Sequence, residues 1–256
     1  MLEESANQWL SDGYKVAVAQ LIRTEGSAPL AVGSRMFVRE DGLFTGSVSG
    51  GCAEALVLEA ADRVIRSDDP EELEVASAGP FSVGLACGGK LLISVRVLDS
   101  LVEQVFRGTL IIIGAVAIAE ALVPMAQAAS FDVRIVDPRS AFARKERFSC
   151  PVQALWPQDA LATLEPGVFG VVLTHDDKID VPALSILLRS HAKYVGALGS
   201  RRTQAKRIAM LQDLGFEESE LSGIRGPIGL DIGAETAEEI AVSILAELIQ
   251  VRASCS

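Results

Sequence analysis

The second half of the chain alternates strand and helix patterns, and this alternation constrains the fold more than any other feature. Residues 110–113 are a continuous apolar run, which is typical of a strand buried on both faces of a parallel sheet. Gly114 follows, then a helical pattern, then a second strand pattern over residues 131–136 that ends at Asp137. Further strands are predicted over residues 168–173 and 194–198, and further helices over residues 181–190, 201–214 and 237–252. Such alternation predicts a doubly wound α/β domain.

The first hundred residues lack this alternation and predict a mixed α+β domain. The dipeptide Asp41-Gly42 lies between two strand patterns and is a strong hairpin signal. Residues 67–72 are mostly acidic and are predicted to be a solvated break between elements. Strands are predicted over residues 15–23, 35–39, 43–47 and 91–98, and helices over residues 2–11 and 53–66. We therefore predict an α/β protein with an N-terminal mixed α+β domain (1–98), a linker (99–108) and a Rossmann-like doubly wound parallel-sheet domain (109–256).

Charge and hydropathy exclude two classes of partner. The 256-residue chain is 49% hydrophobic and has a net charge of −11. Nucleic acid is excluded as the main partner because no global excess of cations is present to replace phosphate counterions. The longest apolar run, residues 110–119, is too short to cross a bilayer, and the acidic N-terminus does not resemble a secretory signal. We therefore expect a soluble cytoplasmic protein that binds neither nucleic acid nor membrane.

Two cysteines lie in glycine-rich segments. Residues 46–54 read GSVSGGCAE, which places Cys52 at or near the first turn of a predicted helix. Unpaired backbone N–H groups and the helix dipole favour a thiolate or a bound anion at such a position. Cys87 has a similar setting in the second segment. The glycines that would let the backbone approach a ligand are Gly50, Gly51, Gly88 and Gly89.

Each of these cysteines also has a structural interpretation, because free cysteine often acts only as a small buried hydrophobe. Taken singly, each favours that interpretation, whereas two thiols beside Gly-Gly pairs together favour a functional one. Cys150 and Cys255 lack the glycine context and are interpreted as structural or incidental. The four cysteines show no C-x-x-C spacing, so neither a zinc ribbon nor a thioredoxin motif is indicated.

The layout around Gly114 is that of a dinucleotide-binding unit: a strand, a glycine turn, a helix, and a strand that ends in an acid, here Asp137. Val116 stands where the fingerprint has its second glycine. Its branched side chain would obstruct the approach of the backbone to a pyrophosphate. The pattern therefore supports the fold and disfavours tight NAD(P) binding.

Other polar residues follow the predicted strands of the second domain, where open α/β sheets bind ligands. Ser200 is predicted to cap a helix with Arg201 and Arg202 in its first turn, which favours a phosphate site. The alternative is a pair of solvated surface arginines. His175 is interpreted as a ligand contact or as a structural hydrogen-bonder. Asp231 lies in a glycine-rich loop that either faces a ligand or makes a tight connection.

Seven segments together resemble the xanthine dehydrogenase accessory factor family, also called XdhC or CoxI. They read RTEGSAP at 23–29, GSVSGGCAE at 46–54, CGG at 87–89, VDPR at 136–139, LTHD at 173–176, YVGALGSRRT at 194–203 and GPIGLDIG at 226–233. The similarity covers nearly the whole chain in the order that the family shows. The family's Rossmann-like domain usually carries a Gly-x-Gly turn followed by His, and here these positions are Val116 and Ala117.

The resemblance implies a cofactor chaperone or maturation factor rather than a stand-alone enzyme. Members of the family bind molybdenum cofactor, assist its sulfuration by a cysteine desulfurase, and help to insert it into xanthine dehydrogenase-type hydroxylases. These enzymes are therefore the implied partners, and the cofactor is the implied cargo. Thiolates suit the soft metal centre of that cofactor, so we expect Cys52 and Cys87 to face the metal as ligands or as a sulfur relay. The turn at Ser200, Arg201 and Arg202 would hold the phosphate of the pterin.

Three alternatives stay open from the sequence. The first is an NAD(P)-dependent oxidoreductase, which Val116 disfavours. The second is a sulfur-relay enzyme in which Cys52 and Cys87 lie within disulfide reach. The third is a structural interaction module that uses neither cysteine. A homodimer is compatible with each of them.

Overall fold

The structure is a computed structural model that describes residues 2–76, 89–102 and 108–254. The chain divides into two compact units, Met1–Gln104 and Val105–Ser256. Each unit builds its own sheet and its own hydrophobic core. Within the three described ranges, no helix is both long and apolar enough to cross a membrane.

The first unit contains an antiparallel sheet with the strand order β3-β2-β1-β5-β4. Its elements are α1 (Leu2–Ser11), β1 (Val16–Glu25), β2 (Arg35–Arg39), β3 (Phe44–Gly46), α2 (Glu54–Ser67), β4 (Glu71–Ala76) and β5 (Lys90–Val97). The apolar stripe of α2 packs Val57 and Val64 against Leu21 of β1. Each such fully buried side chain contributes about 1.5–3 kcal/mol of transfer free energy. Helix α1 covers part of the opposite face through Ala6, which packs against Val18.

The predicted solvated break is confirmed for residues 68–70 but is wrong for residues 71–72, because β4 begins inside this acidic segment. Leu73 and Val75 alternate with the exposed Glu72 and Glu74. The apolar pair faces the core and the acids face away from it, which is the period of a half-buried strand. Hydrogen bonding to β5 along the whole strand therefore overrides the low strand propensity of glutamate.

The second unit contains a parallel sheet with the strand order β11-β10-β9-β6-β7-β8. Its strands are β6 (Thr109–Ile113), β7 (Asp132–Val136), β8 (Val152–Gln153), β9 (Phe169–Val172), β10 (Tyr194–Ala197) and β11 (Ile224–Arg225). Its α-helices are α3 (Ala117–Ala128), α4 (Pro157–Ala160), α5 (Asp177–Arg189), α6 (Arg201–Asp213), α7 (Glu218–Leu221) and α8 (Ala237–Ser254). The predicted doubly wound, Rossmann-like fold is confirmed.

Both faces of this sheet are covered, which explains the continuous apolar run of β6. Leu110 and Ile112 belong to the core shared with α3 and α8, which contribute side chains such as Leu122. Ile111 and Ile113 belong to the core on the other face, shared with α5 and α6. Alternate residues of one strand therefore serve two different cores.

Helix α5 begins at Asp177 rather than at the predicted residue 181. The earlier start is stabilised by Asp176, whose carboxylate caps the helix and accepts a hydrogen bond from the Lys178 N–H at 3.0 Å. Helix α8 begins in the predicted place. The Thr236 hydroxyl accepts from the Glu239 N–H at 3.2 Å, and the Glu239 carboxylate accepts from the Thr236 N–H at 3.0 Å.

A buried ion pair joins α5 and α6 to the carboxyl ends of two strands. Asp180 and Arg207 are both fully buried, and the guanidinium of Arg207 donates to the carboxylate of Asp180. The Thr174 hydroxyl, just after β9, donates to the same carboxylate. Arg207 Nη1 also donates to the carbonyl oxygen of Leu198, just after β10, at 2.6 Å. The pair therefore holds both helices at the carboxyl edge of the sheet.

Arg207→Met should lower the free energy of unfolding by about 3–5 kcal/mol, because it leaves the Asp180 carboxylate buried without its counterion. Lys206→Met is the matched control, since Lys206 pairs with Asp177 but its side chain is 64% exposed. That change should cost less than about 1 kcal/mol. Urea unfolding of the full chain, followed by circular dichroism, measures both, and equal costs would contradict the stabilising role of the buried pair.

Candidate functional site

The glycine-rich loop of residues 47–53 wraps around the carboxylate of Glu54, the first residue of α2. The donors to this carboxylate are the hydroxyls of Ser47 (2.5 Å) and Ser49 (2.5 Å) and the backbone N–H groups of Val48 (3.3 Å), Ser49 (3.1 Å), Gly51 (2.8 Å) and Ala53 (3.2 Å). The sequence predicts unpaired N–H groups here that favour a thiolate or a bound anion. That prediction is wrong for these donors, because the chain supplies the anion itself.

The electrostatics of this loop show that Glu54 acts as an internal anion. Burial alone would raise the pKa of the Glu54 carboxyl. Hydrogen bonds from Ser47, from Ser49 and from the loop backbone outweigh burial and lower the pKa from its ordinary value of 4.5 to about 2. Glu54 is therefore ionised at neutral pH, and its carboxylate links five residues of the loop by hydrogen bonds.

Cys52 is a free, half-buried thiol that packs against the apolar core beneath α2. The neighbouring Gly51 faces open space, since a Cβ built there would meet no atom within 4 Å. A ligand can therefore approach the loop from the side of Gly51. Cys87 and Gly88 lie outside the described residues, so their predicted roles stay predictions.

The segment of residues 23–29 lies against one glycine of each glycine-rich segment, Gly50 and Gly89. A Cβ at Gly50 would lie 3.4 Å from Cβ of Pro29, and a Cβ at Gly89 would lie 2.3 Å from the carbonyl oxygen of Ser27. The structure thus brings Gly50 and Gly89 to one side of this unit. In the parts of the chain that the structure describes, no group of three or more His, Cys, Asp or Glu residues could hold a metal ion.

In the second unit, the candidate residues follow strands of one parallel sheet and therefore share its carboxyl edge. From β6 the chain continues to β7 and β8 on one side of the sheet, and then crosses to β9 on the other side of β6. The strand order therefore reverses between β6 and β9. Ligands bind at such a switch point in open α/β sheets. Gly114 has a φ of +114° at this point. A Cβ there would lie 2.8 Å from Cγ2 of Thr174, so the glycine allows the two loops to close on each other.

The dinucleotide layout predicts that Asp137 contacts a ligand. In the structure, Asp137 is fully buried. Its carboxylate accepts hydrogen bonds from the Ala115 N–H at 2.9 Å, from the Arg139 N–H at 3.0 Å and from the Arg139 guanidinium at 2.9 and 2.7 Å. Burial alone would raise the pKa of this carboxyl, but the bonds from Arg139 and Ala115 lower it. Asp137 therefore satisfies the backbone of the Gly114 turn instead of a ribose.

The first turn of α6 is the exposed cationic end of this edge. Ser200 caps the helix as predicted, and its hydroxyl accepts from the Thr203 N–H at 3.2 Å. Arg201 and Arg202 are exposed, and neither forms an ion pair with any residue in the described ranges. His175, which has a φ of +60°, is also exposed in the loop after β9.

The loop of residues 226–233 is hydrogen-bonded to α8. The buried Glu247 of α8 accepts a hydrogen bond from the Tyr194 hydroxyl at 2.5 Å and from the Gly229 N–H at 2.8 Å. Burial and the contact with Glu247 raise the pKa of Tyr194, so its hydroxyl stays protonated and donates. The outer part of the loop, with Asp231, remains exposed.

Comparison with protein families follows the division into two units. The family model described as the XdhC Rossmann domain matches residues 110–248, and the model described as the XdhC and CoxI family matches residues 9–76. The chain belongs to the XdhC/CoxI family. The resemblance inferred from the seven sequence segments is thereby confirmed.

Three relatives extend this comparison. The molybdenum cofactor insertion chaperone PaoD of Escherichia coli (strain K12) is 28% identical over 95% of this chain and 85% of PaoD. The uncharacterized protein YqeB of the same organism is 29% identical over 92% of this chain, which spans only 43% of YqeB. A Bacillus subtilis (strain 168) protein described as a probable subunit of xanthine dehydrogenase is 34% identical over 51% of this chain and 39% of that protein.

A solved structure shows the same fold. The crystal structure of a Bacillus halodurans protein described as a xanthine dehydrogenase superposes with a TM-score of 0.81 and covers 99% of this chain and 96% of that one. The two sequences are 22% identical. The likeness therefore shows that the two proteins share a fold.

Sequence reasoning misses the roles of several important residues of this XdhC/CoxI chain. Arg139 stands in the VDPR segment, but its pairing with Asp137 is not predicted, although a spacing of two residues after a strand permits it. Glu54 stands near a predicted helix start, but its hydrogen bonds to the preceding loop are not predicted from the sequence. Gln204 gives no sequence signal, because a glutamine in an amphipathic helix is expected on the surface.

Glu54→Gln should destabilise the first unit by about 0.5–2 kcal/mol at neutral pH, because an uncharged amide replaces the anion that caps the loop. The folded pKa lies below the ordinary one, so the carboxylate stabilises the fold above pH 4.5 and loses this effect as the pH falls toward about 2. The melting temperature of the wild type should therefore drop over this range more steeply than that of Glu54→Gln. Glu59→Gln, an exposed change on the same helix, should behave as the wild type does. Parallel pH profiles for wild type and Glu54→Gln would refute the role of Glu54.

Proposed function

We propose that this protein binds molybdenum cofactor, protects it, assists its sulfuration and delivers it to a xanthine dehydrogenase-type hydroxylase. The observation that carries the proposal is the similarity to a molybdenum cofactor insertion chaperone along 95% of this chain. Membership of the XdhC/CoxI family supports it. In this role the chain is a maturation factor in the cytoplasm, and its partners are the hydroxylase and a cysteine desulfurase.

The first unit fits the metal end of such a cargo. A dithiolene-bound molybdenum is a soft centre that thiolates suit. Glu54 accepts hydrogen bonds from four backbone N–H groups of the loop, and the thiol of Cys52 remains available to a ligand. The open side at Gly51 gives access to it. We assign the metal end to the predicted domain of residues 1–98, with Cys52 and Cys87 as ligands or as a sulfur relay.

The second unit fits the organic end. Helix α6 begins with a serine cap followed by Arg201 and Arg202, and a helix N-terminus with free guanidinium groups favours a phosphate. His175 and Asp231 are exposed in other loops of the same unit. We assign the pterin and its phosphate to the predicted domain of residues 109–256.

An NAD(P)-dependent oxidoreductase is the main alternative, and the Gly114 turn argues against it. Thr174 closes on Gly114, and Asp137 is buried in bonds to Ala115 and Arg139. Val116 stands at the N-cap of α3, where the fingerprint has a glycine. Titration of NADH and NADPH, followed by their fluorescence, tests this alternative, and binding at micromolar concentration would favour it over the cargo role of this domain.

A cysteine-based sulfur-relay enzyme is the second alternative. It requires the sulfurs of Cys52 and Cys87 within disulfide reach, with Cα atoms closer than about 7 Å. Mild oxidation followed by peptide mapping would trap such a bridge.

The mass of the native protein, measured in the same preparation, shows whether the chain forms a homodimer.

Purified molybdenum cofactor should co-elute with the wild type under anaerobic conditions at about one molybdenum per chain. Cys52→Ser and Cys87→Ser should each weaken binding by about tenfold or more, equal to about 1.4 kcal/mol, because a soft thiolate contact is replaced by a hydroxyl. Cys150→Ser is the matched control, since burial raises the pKa of the Cys150 thiol to about 11 and keeps it protonated. It should bind as the wild type does.

Two outcomes contradict parts of this proposal. A wild type that binds no cofactor would refute the cargo role for this chain. Binding that survives both cysteine changes would move the metal away from the thiols. In that case Arg201→Ala and Arg202→Ala, with the same assay, test whether the second domain holds the cofactor alone.

A further inference from the structure

Gln204 is buried without a hydrogen-bond partner. The residue is only 7% exposed. Neither the nitrogen nor the oxygen of its side-chain amide has a hydrogen-bond partner in the described parts of the chain. Burial of an unpaired amide is unfavourable, and such groups are rare in native proteins. The amide therefore needs an explanation beyond packing.

The amide of Gln204 is aimed at the first residue of the 226–233 loop. A Cβ at Gly226 would lie 2.4 Å from Cδ and 2.7 Å from Oε1 of Gln204. Gly226 itself is exposed. The amide is thus enclosed between the first turn of α6 and the backbone of a surface glycine, so a ligand would reach it only by displacing that glycine.

A cationic helix end adjoins this amide. Gln204 lies four residues after the cap Ser200, a rise of about 6 Å along an α-helix. The exposed Arg201 and Arg202 lie in the same turn, and in the described ranges neither has an ion-pair partner. An anion-binding helix end and an unpaired donor–acceptor amide therefore lie one turn apart.

We propose that Gln204 reads the ring edge of a phosphorylated heterocycle of the pterin type, while Arg201 and Arg202 hold its phosphate. A primary amide presents one acceptor beside one donor, and the lactam edge of a pterin presents a donor beside an acceptor. Two reciprocal hydrogen bonds would satisfy the groups that the protein leaves unpaired. The inference rests on the proposed function, since it names the part of the cargo that this turn recognises.

The test uses the intact chain and three commercial probes, with calorimetry as the readout. Guanosine 5′-monophosphate carries the same 2-amino-4-oxopyrimidine ring as a pterin, adenosine 5′-monophosphate carries a different edge, and ribose 5-phosphate carries none. The wild type should bind the guanosine probe at least about tenfold more tightly than ribose 5-phosphate. Equal binding of these two, or tighter binding of the adenosine probe, would overturn the proposal.

Gln204→Leu removes the amide at nearly constant volume. It should reduce the affinity for the guanosine probe to that for ribose 5-phosphate, and leave the affinity for ribose 5-phosphate unchanged. Its melting temperature should not fall, because an unpaired buried amide is lost. Gln212→Leu, a change at an exposed glutamine on the same helix, is the matched control and should retain the preference. Gln204→Met serves in the same way if Gln204→Leu fails to fold.

If Gln204→Leu keeps the preference for the guanosine probe, the proposal is overturned, and the amide of Gln204 has only a structural role. Arg201→Ala should weaken all three probes alike, because the phosphate is common to them. Failure of the inference is distinguishable from failure of the proposed function. In the first case the wild type binds molybdenum cofactor but does not distinguish the probes, and in the second it distinguishes the probes but binds no cofactor.

Discussion

The second unit depends on one buried ion pair. Asp180 and Arg207 lie on different helices, and both are closed off from water at the carboxyl edge of the sheet. Each also takes a partner from a strand end, Thr174 in one case and the Leu198 carbonyl in the other. A charge buried without these contacts would be very costly, so the positions of both helices and both loops are fixed together. The first turn of α6, which carries the exposed arginines, owes its place to this arrangement.

A second constraint is that the chain supplies its own anions to the loops that most resemble ligand sites. Glu54 fills the loop before α2, and Asp137 fills the turn after β6. Free backbone N–H groups in both loops would otherwise have to be satisfied by water or by a ligand. The groups that remain for a ligand are those without such an internal partner. In the described parts of this protein they include the thiol of Cys52, the guanidinium groups at the start of α6 and the amide of Gln204.

Hydrophobic periodicity predicts the elements well wherever it is strong, as in the apolar run of β6. At β4 the alternation of Glu72 and Glu74 with Leu73 and Val75 is short and begins in an acidic segment, so the strand is not predicted. For the site, the loops are identified correctly as unusual, but their occupants are not. The pattern GSVSGGCAE is compatible with an external anion or with capture of Glu54, because both use the same donors. Such a choice depends on side-chain geometry, which neither propensity nor spacing encodes.

The groups left unpaired differ in chemical type between the two units, and this difference bears on the proposed cargo. Cys52 offers a soft sulfur at a loop in which four backbone N–H groups already donate to Glu54. Arg201 and Arg202 offer hard, delocalised cations at a helix end. The proposed cargo contains both a soft metal centre and a phosphate, so each kind of group has a chemical counterpart in it.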